Sequence, residues 1–150
     1  MSLLTDIAFA AAIRSNADLL AELPAGDIYN TSIALPDRDV ENAPIPYVIV
    51  GFAGMQSDAD TKDDDFEGES DSVQIIITTT APTREKLGEL MADIRTTVRE
   101  YFREHQGDTS DDVFAQIPDD MSVSASGVSY DPDKPCYWQE LTYNCITKPD

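Results

Sequence analysis

Between Ser72 and Phe102 the hydrophobic period changes from that of a strand to that of a helix, and this change dictates a helix lying on a sheet. Residues 72–80 (SVQIIITTT) are β-branched and extended in character. Pro82 interrupts the strand, and Thr83 is placed to cap a helix that runs to about His105. Within it Leu87, Leu90, Met91, Ile94, Val98, Tyr101 and Phe102 recur at helical spacing. At about 100° per residue they fall within roughly 60° of one line along the helix. That line must be buried against the sheet. The flanks differ in charge. Arg95, Arg99 and Arg103 run down one side together with Gly88 and Ala92, while Glu85, Glu89, Asp93, Glu100 and Glu104 take the far side and the other flank.

The rest of the chain supplies a domain around this unit. Leu3–Leu23 is expected as a first helix, with Ser2 as its N-cap and Pro24-Ala25-Gly26 as its stop. Leu4, Ala8, Ala11 and Leu19 form one apolar side of it, Phe9, Ile13 and Leu20 another, and Asp6, Arg14 and Asp18 a narrow wet face. Residues 27–33 form a short strand, and the proline-bearing stretch from Pro36 to Pro46 a loop. Residues 47–53 (YVIVGFA) form a strong strand, and its nearly unbroken apolar run is expected to be covered on both faces. Residues 106–120 show no clear pattern. Residues 122–130 alternate weakly and are expected as a strand, 131–135 turn, and 136–147 (CYWQELTYNCIT) make a last strong strand. The expectation is an α+β fold: a single domain over 1–150, with a mostly antiparallel sheet of four to five strands and two helices packed on one face. At 150 residues one such domain can bury a proper core.

Charge narrows the function classes. The chain carries 10 Lys+Arg against 29 Asp+Glu, a net charge of −19. Such a surface repels phosphate backbones and anionic lipid, so no specific nucleic-acid binding and no membrane partner is expected. No apolar run is long enough to span a bilayer. Leu3–Ala12 contains Asp6 and lacks a basic leader, so it is expected as a helix of the mature protein. Cys136 and Cys145 lie nine apart in one strand, which sets them on opposite faces roughly 30 Å apart and out of reach of a disulfide. Two reduced thiols suit folding in a cytosol.

An acidic flexible loop is expected over 54–71. It holds Asp58, Asp60, Asp63, Asp64, Asp65, Glu67, Glu69 and Asp71 against Lys62, with Phe66 its only large apolar residue. Asp63, Asp65, Glu67 and Gly68 match the opening of a calcium-loop pattern, but Gln74 stands where the bidentate Glu belongs. Solvated loop, adventitious cation site and dedicated calcium site are the three readings. The arginine stripe also has two. Arg95/Arg99 and Arg99/Arg103 are like-charged i, i+4 pairs that each cost roughly 0.2–0.5 kcal/mol in an isolated helix. Either the chain's own acids offset them or an acidic surface on another subunit does. His105, the only histidine, falls at a helix C-terminus where positive charge is favoured. No glycine-rich phosphate loop, CxxC, HExxH or GxSxG is present, so no catalytic residue, metal or cofactor is assigned and no enzyme is expected. Tyr137, Trp138 and Tyr143 belong to core or interface.

In order and texture the chain resembles the tail-terminator, or tail-completion, proteins of long-tailed bacteriophages, a class of minor tail protein. The matching pieces are IAFAAAIRSNADLLAEL, the IYN strand, PIPYVIVGF, an acidic stretch leading into SVQIIITTT, the helix PTREKLGELMADIRTTVREYF, and CYWQELTYNCIT. They cover most of the chain except about 106–130. The resemblance implies a structural α+β subunit forming a hexameric ring. The ring would cap the tail tube, end its polymerisation and meet the head–tail connector or neck proteins. Its place would be the virion tail, after assembly in the cytoplasm of the bacterial host. The implied partners are further copies of itself, tail-tube protein and neck protein. The stripe is then expected at the subunit interface, and Asp58, Asp60, Asp63, Asp64, Asp65, Glu67 and Glu69 toward the lumen or a ring partner. The rival expectation is a monomeric acidic binding protein, a DNA mimic or an inhibitor of a basic protein.

Overall fold

A computed structural model describes residues 4–30, 43–58 and 70–147. The elements in chain order are α1 (Thr5–Arg14), α2 (Ala17–Ala21), β1 (Tyr29–Asn30), β2 (Tyr47–Asp58), β3 (Ser70–Ala81), α3 (Arg84–His105), a 3-10 helix (Asp112–Gln116), β4 (Asp120–Ala125), β5 (Ser129–Asp131) and β6 (Cys136–Thr147). The α+β expectation holds, with six strands in place of four to five.

The sheet order is β1-β2-β3-β6-β4, and β5 pairs with β6 beside β4. Among the described strands, only β1 and β2 pair in parallel. β4 and β3 both run antiparallel to β6, which lies between them, so α3 carries the chain across β6 from one parallel strand to the other. Side-chain alternation sorts the two faces. Val73, Ile75 and Ile77 lie opposite Cys145, Tyr143 and Leu141, and Val48 and Val50 lie opposite Thr79 and Ile77. All but Thr79 belong to the apolar core, and all are buried under the helices. Ile76, Gln74, Thr142 and Asn144 point the other way and retain solvent exposure. β2 therefore has one covered face, not two. A register shift between Phe52 and Gly54 inserts one extra residue, Ala53, and switches parity, which sets Met55 opposite Val73.

α3 meets the sequence expectation closely. The Thr83 hydroxyl accepts from Lys86 N at 3.1 Å and caps it. Leu87, Leu90, Met91, Ile94, Val98 and Phe102 are buried, and Tyr101 is half-buried. α1 packs beside it on the same face of the sheet. The Phe9 ring lies 4.8 Å from Phe102 and 4.8 Å from Tyr143, joining both helices to β6.

Several expectations are corrected. The first helix is two helices. Ser15 Oγ donates to Ala12 O at 2.6 Å, and Asn16 turns extended so that its side chain accepts from Leu19 N at 3.2 Å. These local bonds compete with helix continuation. Ser2 lies outside the described residues. The wet face is narrower than expected. Asp6 is wholly buried, because α1 is enclosed by the sheet, α3 and the 3-10 helix. Arg14 is half-buried against Asp27. The 54–71 loop is shorter, because cross-strand pairing continues from Gly54↔Gln74 to Asp58↔Ser70. Asp71 is buried and pairs in register with Thr147. Asp60, Asp63, Asp64, Asp65, Glu67 and Glu69 lie outside the described residues, as do residues 31–33 of the expected 27–33 strand and 36–42 of the Pro36–Pro46 segment; of that strand only Tyr29–Asn30 is described as β1. The unpatterned 106–120 stretch contains the 3-10 helix, which packs Phe114 against the core, and Ile117 just after it joins the core.

Truncating the ring that ties both helices to the sheet, Phe9→Ala, is expected to cost about 3–5 kcal/mol, read by urea denaturation. A loss under about 1 kcal/mol would show that the junction does not hold the layers together.

Candidate functional site

The two flanks of α3 meet different surroundings. One is tied to the N-terminal helices. Asn16 Nδ2 donates to Thr97 Oγ1 at 3.0 Å, and Lys86 Nζ donates to Glu22 Oε1 at 2.6 Å. The bond to Glu22 raises the Lys86 pKa. The other flank carries Gly88, Ala92, Arg95, Arg99 and Arg103, all exposed. A Cβ added at Gly88 would meet nothing within 4 Å, so a partner can approach the helix backbone closely there.

The cations differ in pairing. Arg14 Nε meets Asp27 Oδ1 at 2.9 Å, Lys86 meets Glu22, and Lys134 Nζ donates to Ala43 O at 2.7 Å. Among the described residues, none of Arg95, Arg99 and Arg103 makes an ion pair. The described acids therefore do not offset the stripe.

Arg95 and Arg99 overhang a groove beside the β4 edge, of about 260 Å³, lined also by Met121, Val123 and Tyr143. The cross-strand pairs Met121↔Cys145 and Val123↔Tyr143 put these side chains on the helix-covered face, yet α3 stops short of β4. Val123 remains 37% exposed. Tyr143 is only 2% exposed, with its ring against Phe9. Its hydroxyl makes no hydrogen bond to the described residues. Burial pushes the Tyr143 pKa up to about 12, while Arg95 and Arg99 pull it down. The groove thus offers an apolar floor, a cationic rim and one free hydroxyl. Sequence reasoning found the arginines but not the floor. The alternation of Met121, Val123 and Ala125 was the available signal, and only the β4–β6 pairing brings it beneath the stripe.

The uncovered sheet face bears a wider depression of about 560 Å³, bordered by Gly54, Gln56, Ser72, Gln74, Asn144 and Ile146. Asp120 and Cys145 also border it, and burial pushes the Cys145 thiol up to about 12, far from a reactive thiolate. Both cysteines are free and buried. His105 stacks on Phe114 at 4.1 Å between ring centroids, lies 4.6 Å from Tyr101, and reaches Asp108 at 3.6 Å. It closes α3 onto the 3-10 helix. Tyr137 and Trp138 are half-buried on β6. Among the described residues no group of three or more His, Cys, Asp or Glu is placed to hold a metal ion, and no helix is long and apolar enough to cross a membrane.

No protein-family model matches the chain, and no curated protein matches it.

The burial of Tyr143 generates a pH prediction. Its folded pKa lies above the unfolded value, so its contribution to stability is present below about pH 10 and is lost as pH rises toward 12. Tyrosinate absorbance is expected to show one late ionisation near pH 12 that disappears in Tyr143→Phe. A wild-type titration complete by about pH 11 would contradict this environment.

Proposed function

We propose that the chain is a structural subunit that works by assembly: a tail terminator of a long-tailed bacteriophage, forming a hexameric ring on the tail tube. The observation that carries the reading is the flank of α3. Gly88, Ala92, Arg95, Arg99 and Arg103 share one exposed side, and the arginines have no acidic partner among the described residues. Like charges at i, i+4 oppose one another in the isolated subunit and are relieved when carboxylates from another copy approach. A stripe docking onto a different, acidic patch is a heterologous contact, and repeated copies of such a contact close into a ring. The order and texture of the elements in the sequence, which resemble those of terminator proteins, support placing such a ring on a tail tube. The acidic run from Asp58 to Glu69 faces the lumen or the neighbouring subunit, where a negative wall lets DNA pass without adhering.

In this role the ring ends tube polymerisation and presents a surface to the neck proteins. The test is mass by light scattering, alone and with tail-tube protein. A species near six copies of the 16.5 kDa chain is expected, alone or only on the tube. Arg99→Glu is expected to reduce it to the subunit while far-UV circular dichroism stays unchanged. A wild-type monomer that ignores tube protein and captures a basic protein in a salt-sensitive complex overturns the ring in favour of an acidic inhibitor.

A further inference from the structure

The groove under Arg95 and Arg99 differs in kind from a charged surface. Its floor of Met121, Val123 and Tyr143 is apolar, its rim is cationic, and at about 260 Å³ it falls below the roughly 300–1,000 Å³ of small-molecule pockets. It suits one bulky side chain flanked by carboxylates. Tyr143, a residue 2% exposed, lines this groove, and its hydroxyl has no hydrogen-bond partner among the described residues. An occupant that seals the groove from water must pair this hydroxyl or leave it unsatisfied at a cost, so one that accepts its hydrogen bond is favoured.

We propose that this groove receives the segment Asp63-Asp64-Asp65-Phe66-Glu67 of a second copy of the chain, with Phe66 on the apolar floor and its neighbouring carboxylates on Arg95 and Arg99. The proposal rests on the self-assembly part of the functional reading and names the two surfaces that meet. Charge complementarity selects the occupant. The run from Asp58 to Asp71 holds eight acids against Lys62, and Phe66 is its one large apolar residue. An arginine fork pairs with a carboxylate through two parallel hydrogen bonds, and its plane stacks on an aromatic ring. The acidic run and the groove are different patches, so the contact is head-to-tail. Each copy offers one groove and one acidic run, which is the pattern a closed ring requires.

The test uses two full-length variants, each defective in one half of the contact: Arg95→Ala/Arg99→Ala in the groove, and Asp65→Ala/Phe66→Ala in the segment. Circular dichroism matching wild type establishes that both fold. Neither variant is expected to self-associate. Mixed together they are expected to form a capped 1:1 dimer, since one intact groove meets one intact segment. A synthetic peptide of residues 59–69 is expected to bind the segment variant, with affinity at least about tenfold weaker on the groove variant and falling with added salt. A mixture that stays monomeric while the peptide binds the segment variant but not the wild-type chain means that each copy fills its own groove, and overturns docking between copies. Equal peptide affinity for groove variant and segment variant overturns the groove itself. If wild-type rings form on tube protein and the groove variant still joins them, this contact is wrong and the terminator reading stands. A capped dimer from a protein that ignores tube protein upholds the contact and overturns the terminator reading.

Discussion

The junction of Phe9, Phe102 and Tyr143 is where every layer of this protein meets. One ring comes from α1, one from α3 and one from β6, with Phe9 4.8 Å from each of the others. Edge-on and tilted aromatic contacts of this kind add to what area burial alone contributes. Their larger consequence is geometric. With α1 and α3 locked side by side on one sheet face, the helices cover β2, β3 and the centre of β6 and stop before β4. The groove beside β4 and the exposed flank of α3 both follow from that arrangement.

Electrostatics gives the uncovered flank its character. In a chain of net charge −19, three exposed arginines without described acidic partners form a local inversion of sign. Water screens exposed charges well, so the stripe costs the folded subunit little. The same residues become effective when a partner excludes water, because the effective dielectric falls and charge-assisted bonds strengthen. Such a surface is nearly neutral in the free subunit and selective at a contact.

Much of the architecture was legible in the chain. The strand–proline–helix unit, the Thr83 cap, the buried face of α3 and the bounds of β6 all follow from period, capping and β-branched content, which are local signals. Other features escaped because nothing local marks them. Asp6 reads as solvent-facing on any helical wheel, yet the packing of α1 against three neighbours buries it. The break at Ser15 and Asn16 depends on two side-chain hydrogen bonds that compete with the helix by small margins. The hairpin of β2 and β3 extends through polar, acidic ends because each residue there gains a cross-strand partner, which composition cannot register. Phe114 and Ile117 look isolated in a polar stretch until the 3-10 helix turns them onto the core.

The candidate site divides along the same line. The sequence by itself determined the arginine stripe, since i, i+4 spacing on a helix of known face needs only the helical period. It also determined that the chain's carboxylates far outnumber its cations. Only the tertiary structure decided that Met121, Val123 and Tyr143 lie beneath that stripe. They sit on two strands joined by a long-range antiparallel register, and the chain between them shows no periodicity from which that register could be read. Helical faces are set by near neighbours, whereas strand pairing is set by whichever distant segment completes the ladder.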